Sequence, residues 1–220
     1  VQQWSFNDAF DEEEMLAWDA RLKKMLMQQG IEVSELDYTV EHKIDGLHIV
    51  LSYQDGVLVA GATRGDGKIG EDVTQNVKTI QSIPLKLEKP ESLIAEGEIF
   101  MSKKVFDKLN AQLKKEGKKL YANPRNVAAG SIRQLDSKIT ASRKLDCFAY
   151  DLSGGAVLDD LETQNQELDK LKSLGFMVNK HFKHCKSIKE VLAYWKKWEP
   201  KRDNTDYWFD GVVVKVSNRE

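Results

Sequence analysis

The sequence predicts an α+β fold of mainly antiparallel sheets with flanking helices. β-rich runs at 47–53 and 57–63 are separated by Gln54-Asp55-Gly56, which is hairpin chemistry. Capped amphipathic segments separate the remaining β-rich runs without a regular strand-helix-strand alternation, which favours antiparallel pairing. No internal repeat, low-complexity tract or Pro/Gly/Ser linker interrupts the chain, so 1–220 reads as one domain, with an N-terminal motif and helix (1–30) packed on it.

The elements follow in order. Trp4 to Phe10 is aromatic and too short to be a domain. Asp11-Glu12-Glu13-Glu14 has a capping pattern, and Met15, Trp18, Leu22, Met25 and Leu26 recur at helical spacing until Gly30, so this helix forms an outer layer. The stretch 38–46 reads as a strand in which Val40, His42 and Ile44 alternate with a charged row of Glu41, Lys43 and Asp45, before Asp45-Gly46 turns the chain. After the hairpin comes Thr63-Arg64-Gly65-Asp66-Gly67, whose glycines allow close backbone approach to a ligand while Arg64 supplies a cation. A strand at 94–100 carries Glu98, a carboxylate where core is expected, and Ser102 caps a helix running to Gly117. Residues 121–134 read as a loop entering a small-residue helix on which Arg125 and Arg133 fall within roughly 80° of one face, at 100° per residue. That spacing gives both arginines one anionic surface to share, suited to phosphate. A strand at 145–152, a helix at 161–174 stopped by Gly175, a helix capped by Ser187 and Glu190, and a β-branched run at 207–216 with Lys215 embedded complete the chain.

Composition bounds the function. With 41% hydrophobic and 31% charged residues, the chain has ample material for a core. A net charge of -2 gives no global basic field, so any nucleic-acid contact comes from a local patch or from a part of the protein outside this sequence. Two cysteines, Cys147 and Cys185, and no leader-like or long apolar run suit a reduced, cytoplasmic protein without a membrane partner. His181-x-x-His184-Cys185 lacks partner ligands elsewhere and reads as a half-exposed strand rather than a metal site; metal ligands are left unassigned.

Lys43 is the residue on which chemistry turns. A lysine held at a strand end can be an amine nucleophile, provided that it gives up its proton, which for roughly three pKa units requires about 4 kcal/mol. Neighbouring carboxylates oppose this, so the reading needs other cations or a metal ion brought from distant parts of the chain. By itself Lys-x-Asp-Gly is too short to separate a nucleophile from a Lys43–Asp45 surface pair on a hairpin.

Five motifs in order resolve that choice: Glu41-His42-Lys43-Ile44-Asp45-Gly46, Ala62-Thr63-Arg64-Gly65-Asp66-Gly67, Glu96-Gly97-Glu98-Ile99-Phe100, Asn123-Pro124-Arg125-Asn126 and Asp210-Gly211-Val212-Val213-Val214-Lys215. Together they resemble the nucleotidyltransferase core of bacterial NAD-dependent DNA ligases, from about Trp4 to the last residue. Lys-x-Asp-Gly is shared with ATP-dependent ligases and mRNA capping enzymes; the Thr-Arg-Gly-Asp-Gly and Asn-Pro-Arg-Asn motifs resemble the NAD-dependent branch. The resemblance implies that Lys43 attacks the adenylyl phosphorus of NAD, releases nicotinamide mononucleotide, and carries AMP toward a nick in double-stranded DNA. It further implies that Glu41 addresses adenine, Glu98 the ribose, and Tyr150 stacks on the base. Arg64 and Lys215 would lie along the nucleotide, with Ser5 and Phe6 near it. Asp45 would be catalytic beside Lys43, and Gly46 and Asp210 would support the site, with Mg2+ or Mn2+, in a monomer. Arg125 and Arg133 are assigned to phosphates. His42, His48 and Trp208-Phe209 depart from the family's usual residues. The chain resembles an excised adenylation domain that needs further segments of a longer ligase to seal nicks. Rival readings are an ATP-using ligase or capping-type transferase and a non-catalytic nucleotide- or DNA-binding scaffold.

Overall fold

The computed structural model describes residues 7–65, 67 and 69–219. In chain order the elements are α1 (Glu12–Gln28), β1 (Tyr38–Ile44), β2 (Leu47–Gln54), β3 (Val57–Thr63), α2 (Thr74–Val77), β4 (Leu93–Phe100) and α3 (Lys103–Lys115). They continue with α4 (Pro124–Ile132), α5 (Ser137–Ser142), β5 (Asp146–Gly154), α6 (Gln164–Ser173), β6 (Lys183–Cys185), α7 (Ile188–Trp198) and β7 (Phe209–Val216).

Local chemistry sets most boundaries. Side-chain oxygens of Asp11, Ser102, Asn123 and Ser187 accept from backbone amides three residues on, capping α1, α3, α4 and α7. Thr163 and Gln166 form a reciprocal capping box that starts α6 three residues later than the apolar pattern suggests. Asp55 (φ 50°) and Gly56 (φ 78°) both adopt the left-handed region that a two-residue primed turn requires, and β2 and β3 pair antiparallel on either side.

The strands divide between two antiparallel sheets, ordered β6-β1-β7 and β3-β2-β4-β5. Asp45-Gly46 therefore makes no hairpin: it carries the chain from the first sheet into the second. One face of the four-stranded sheet buries Ile49, Leu51, Ala95, Ile99 and Cys147 against Val77, Val127, Ile132, Leu168 and Leu171 of the helices. The three-stranded sheet buries Tyr38 and Val40 against Val191 and Tyr194 of α7, with Met15, Trp18, Leu22 and Leu26 of α1 packed over them. Phe100 and Phe148 of one sheet meet Tyr207 and Phe209 of the other chain end, stitching the two sheets together at an aromatic seam. The two sheets also meet where Lys215 of β7 donates to the Tyr150 carbonyl of β5, and the charged row of β1 faces into that junction.

The metal-like triplet disperses. His181 stacks on His42, His184 Nε2 lies 3.1 Å from Asp37, and Cys185 is buried. No group of three or more His, Cys, Asp or Glu able to hold a metal ion occurs among the described residues.

Candidate active site between two sheets

The site is built from the strand ends that surround the sheet junction. On β1, Thr39, Glu41 and Lys43 project from one face, while Tyr38, Val40 and His42 enter apolar packing on the other. β7 runs antiparallel beside β1 with Lys215 opposite Thr39 and Gly211 opposite Lys43, so residues 167 apart in sequence converge. Lys43 Nζ sits 2.9 and 3.1 Å from the two Asp210 carboxylate oxygens, a bidentate contact at the rim of the site. Both partners are about half exposed.

This corrects one sequence expectation. Asp45 does not continue the charged row or pair with Lys43, because the register shifts between Lys43 and Ile44 and β1 ends there. Its amide donates to the Trp208 carbonyl, and its carboxylate lies 3.8 Å from Arg125. A second correction concerns the arginines of the small-residue helix. Arg125, in the first turn of α4, reaches Asp45 and the field of Glu98, whereas Arg133, the C-cap of α4, pairs with Glu71. The helix ends before Arg133, so the two side chains serve different partners rather than one surface.

Deeper in, Glu41 is 6% exposed. Its Oε1 is shielded from water, makes no hydrogen bond, and lies 3.4 Å from Lys215 Nζ. Burial pushes the Glu41 carboxyl up, and Lys215 pulls it partly back. Burial would lower Lys215, but Glu41, Asp151 and Glu167 outweigh it and raise its pKa, so the ammonium stays charged. Lys215 also donates to the Tyr150 carbonyl at 3.0 Å and lies 5.3 Å from the centre of the Tyr150 ring.

Glu98 on β4 occupies the same region. Desolvation pushes its carboxyl up to about 8, against the opposing pull of Arg125 and Lys43, while the Gly46 amide bonds to it. Gly46 is required for this arrangement: a Cβ there would stand 2.3 Å from the Ile99 carbonyl oxygen and 2.9 Å from Glu98 Cγ. Gly65 and Gly70 let the loop after β3 pass close to its own backbone, since a Cβ on Gly65 would meet the Ile69 carbonyl oxygen, and one on Gly70 the Thr63 carbonyl oxygen, at 1.7 Å. Arg64 opens that loop and is half-buried. Ser5 and Phe6, expected near the nucleotide, lie outside the described residues.

Lys43 and Asp210 also open onto a groove of about 920 Å³ between the start of α1 and β7, into which Arg21, Arg202, Trp18 and Trp195 project. Arg21 and Arg202 carry no motif signal; only the docking of α1 and of the turn before β7 places them in the lining of the groove that Lys43 also lines.

Fold and site together define a two-sheet α+β domain whose junction holds paired buried charges, with a lysine at its rim. The chain belongs to the NAD-dependent DNA ligase adenylation domain family, whose model matches residues 1–220. A DNA ligase of Thermotoga petrophila is 48% identical over 217 residues, covering 99% of this chain and 31% of that protein. A DNA ligase of Macrococcus caseolyticus is 49% identical over 214 residues, covering 97% and 31%. The chain thus spans about a third of the length of these curated relatives. A solved structure of a mycobacterial DNA ligase D complexed with ATP and MES overlays with a TM-score of 0.46 at 14% identity, covering 84% of this chain and 50% of that one. No helix among the described residues is long and apolar enough to cross a membrane.

Proposed function

We propose that this chain performs the self-adenylation step of an NAD-dependent DNA ligase, with Lys43 as the nucleophile. The observation that carries the proposal is the Lys43–Asp210 contact of 2.9 and 3.1 Å at the rim of the junction that holds Glu41, Lys215 and Tyr150. A lysine attacks only as the neutral amine: the ion pair with Asp210 favours the charged form, and once neighbouring cations offset that preference Asp210 is the acceptor placed to receive the proton. The Nζ–P bond forms as the bond from the same phosphorus to the nicotinamide mononucleotide phosphate oxygen breaks, and that oxygen leaves with the electron pair.

The remaining residues position and neutralise. Glu41 Oε1, a buried acceptor without a donor, suits the exocyclic amine of adenine, and neighbouring Lys215 offers a proton to a ring nitrogen. Tyr150 supplies a face for the base, and Glu98 accepts from the ribose hydroxyls. Arg125, held by Asp45 and Glu98, together with Arg64, Arg21 and Arg202, provides cations for the phosphoryl oxygens, where phosphoryl transfer needs them. Mg2+ or Mn2+ would be held by the substrate phosphates together with one or two protein carboxylates. Arg133, on the outer end of α4, is assigned to DNA backbone contacts, and AMP passes from Lys43 to the 5′-phosphate of a nick before the 3′-hydroxyl displaces it. We assign the domain to span 1–220, to a monomer acting in the cytoplasm, within a longer ligase.

Intact mass of the full-length protein after incubation with NAD or with ATP tests this. The expected result is one added AMP from NAD alone, absent in Lys43→Ala and in Lys43→Arg, whose guanidinium cannot be deprotonated. AMP gained by Lys43→Ala refutes the nucleophile; AMP gained from ATP moves the protein to the ATP-using class.

A further inference from the structure

The inference concerns His48, and it rests on the nucleotide reading above. β2 and β4 pair in register with His48 directly opposite Glu98, so the two side chains share a sheet face, with Cβ atoms about 5 Å apart. That face is the one turned toward the sheet junction, because Tyr150, whose carbonyl holds Lys215, stacks beside the His48 ring at 6.2 Å and 29°. His48 Nε2 lies 3.0 Å from Glu96 Oε2, and an ionised carboxylate only accepts, so in the neutral ring the proton sits on Nε2. Nδ1 is then a bare acceptor. It is shielded from water and has no partner of its own. An unsatisfied buried acceptor destabilises the ligand-free site, and a ligand donor relieves it.

We propose that His48 Nδ1 accepts a hydrogen bond from the ribose diol of the bound adenylate, sharing that diol with Glu98, and that Glu96 fixes the tautomer that makes this possible. Glu98 can accept from the diol through its two oxygens, and His48 Nδ1 adds a further acceptor on the same sheet face. With His48 beside it, the diol is read as a pair, and the site selects ribonucleotides over deoxyribonucleotides. The selection matters for a protein working on DNA, where deoxynucleotides share the same base and phosphate.

The test is a binding cycle on the full-length protein, freed of covalent AMP with excess nicotinamide mononucleotide and checked by intact mass. Affinities for AMP, 2′-deoxy-AMP and 3′-deoxy-AMP are measured for the natural protein, His48→Ala and His48→Asn. The loss of one neutral hydrogen bond predicts that His48→Ala weakens AMP binding about five- to tenfold but leaves the affinity for one of the two deoxy analogues unchanged. Asn places an oxygen near the Nδ1 position, so His48→Asn is expected to recover most of the discrimination. A parallel measurement needs no variant: in 15N-histidine-labelled protein, the unprotonated Nδ1 resonance of His48 moves on adding AMP and moves less on adding that same deoxy analogue. If His48→Ala weakens all three ligands equally, or none of them, the inference fails while the nucleotide reading stands. If no form binds AMP at all, the nucleotide reading fails and takes this inference with it.

Discussion

Replacing Glu98 by Gln tests how the site stores free energy. Glu98 has an ordinary carboxyl value of 4.5 when unfolded and about 8 when folded, with burial as the largest cause. The folded chain therefore holds this proton more tightly than the unfolded chain. The stability it contributes is full below about pH 4.5 and is lost as the pH rises through about 8. At about 1.36 kcal/mol per pKa unit this gap has a ceiling near 5 kcal/mol, and solvent relaxation around Arg125 and Lys43 reduces the expectation to about 2 kcal/mol. Gln mimics the protonated acid in shape and cannot ionise. Urea unfolding of the ligand-free protein at about pH 5 and about pH 9 then gives near-equal stability for the two chains at the lower pH, and a variant about 2 kcal/mol more stable at the higher. AMP affinity should fall in the same variant, because the carboxylate that burdens the empty site is the one that receives ribose hydroxyls. A stability difference that stays constant between the two pH values would show that Glu98 is not desolvated in the way the fold implies.

Asp210→Asn should slow self-adenylation by about 10²- to 10⁴-fold with little effect on AMP affinity, since it removes a proton acceptor and leaves the adenine and ribose contacts intact. A single-turnover loss under about tenfold would place the acceptor elsewhere. Gly46→Ala forces a Cβ to within 2.3 Å of the Ile99 carbonyl oxygen. It should lower stability by about 3 kcal/mol, seen as a melting temperature reduced by roughly 6–12 °C; an unchanged melting temperature would contradict the close packing of this turn. Arg125→Ala should move the Glu98 titration upward from about 8, read by carboxyl 13C NMR, because Arg125 is the largest influence holding it down. Movement in the opposite direction would remove Arg125 from the pocket.

By itself, the sequence determined what short-range chemistry controls. The helix starts at Asp11, Ser102, Asn123 and Ser187 follow from oxygens three residues from the amides they cap, and Asp55-Gly56 turns as its two residue types dictate. The ordered motifs also made the family legible, because Lys43, Glu98 and Lys215 each lie within a recognisable local string. Tertiary structure alone decided how those strings meet. Asp45-Gly46 reads locally as a hairpin turn, yet β1 finds its partners in β6 and β7, and β2 finds its own in β3 and β4, since long-range ladder pairing outweighs the turn's preference. Lys43 takes Asp210 rather than the carboxylate two residues away, because a register shift carries Asp45 off the strand toward Arg125. Helical periodicity placed Arg125 and Arg133 on one surface, but α4 stops at Ile132, and Arg133 turns to Glu71 instead. Arg21, Arg202 and the bare Nδ1 of His48 had no local signal. A charge or an acceptor acquires its role from what surrounds it, and those surroundings come from residues far apart in the chain.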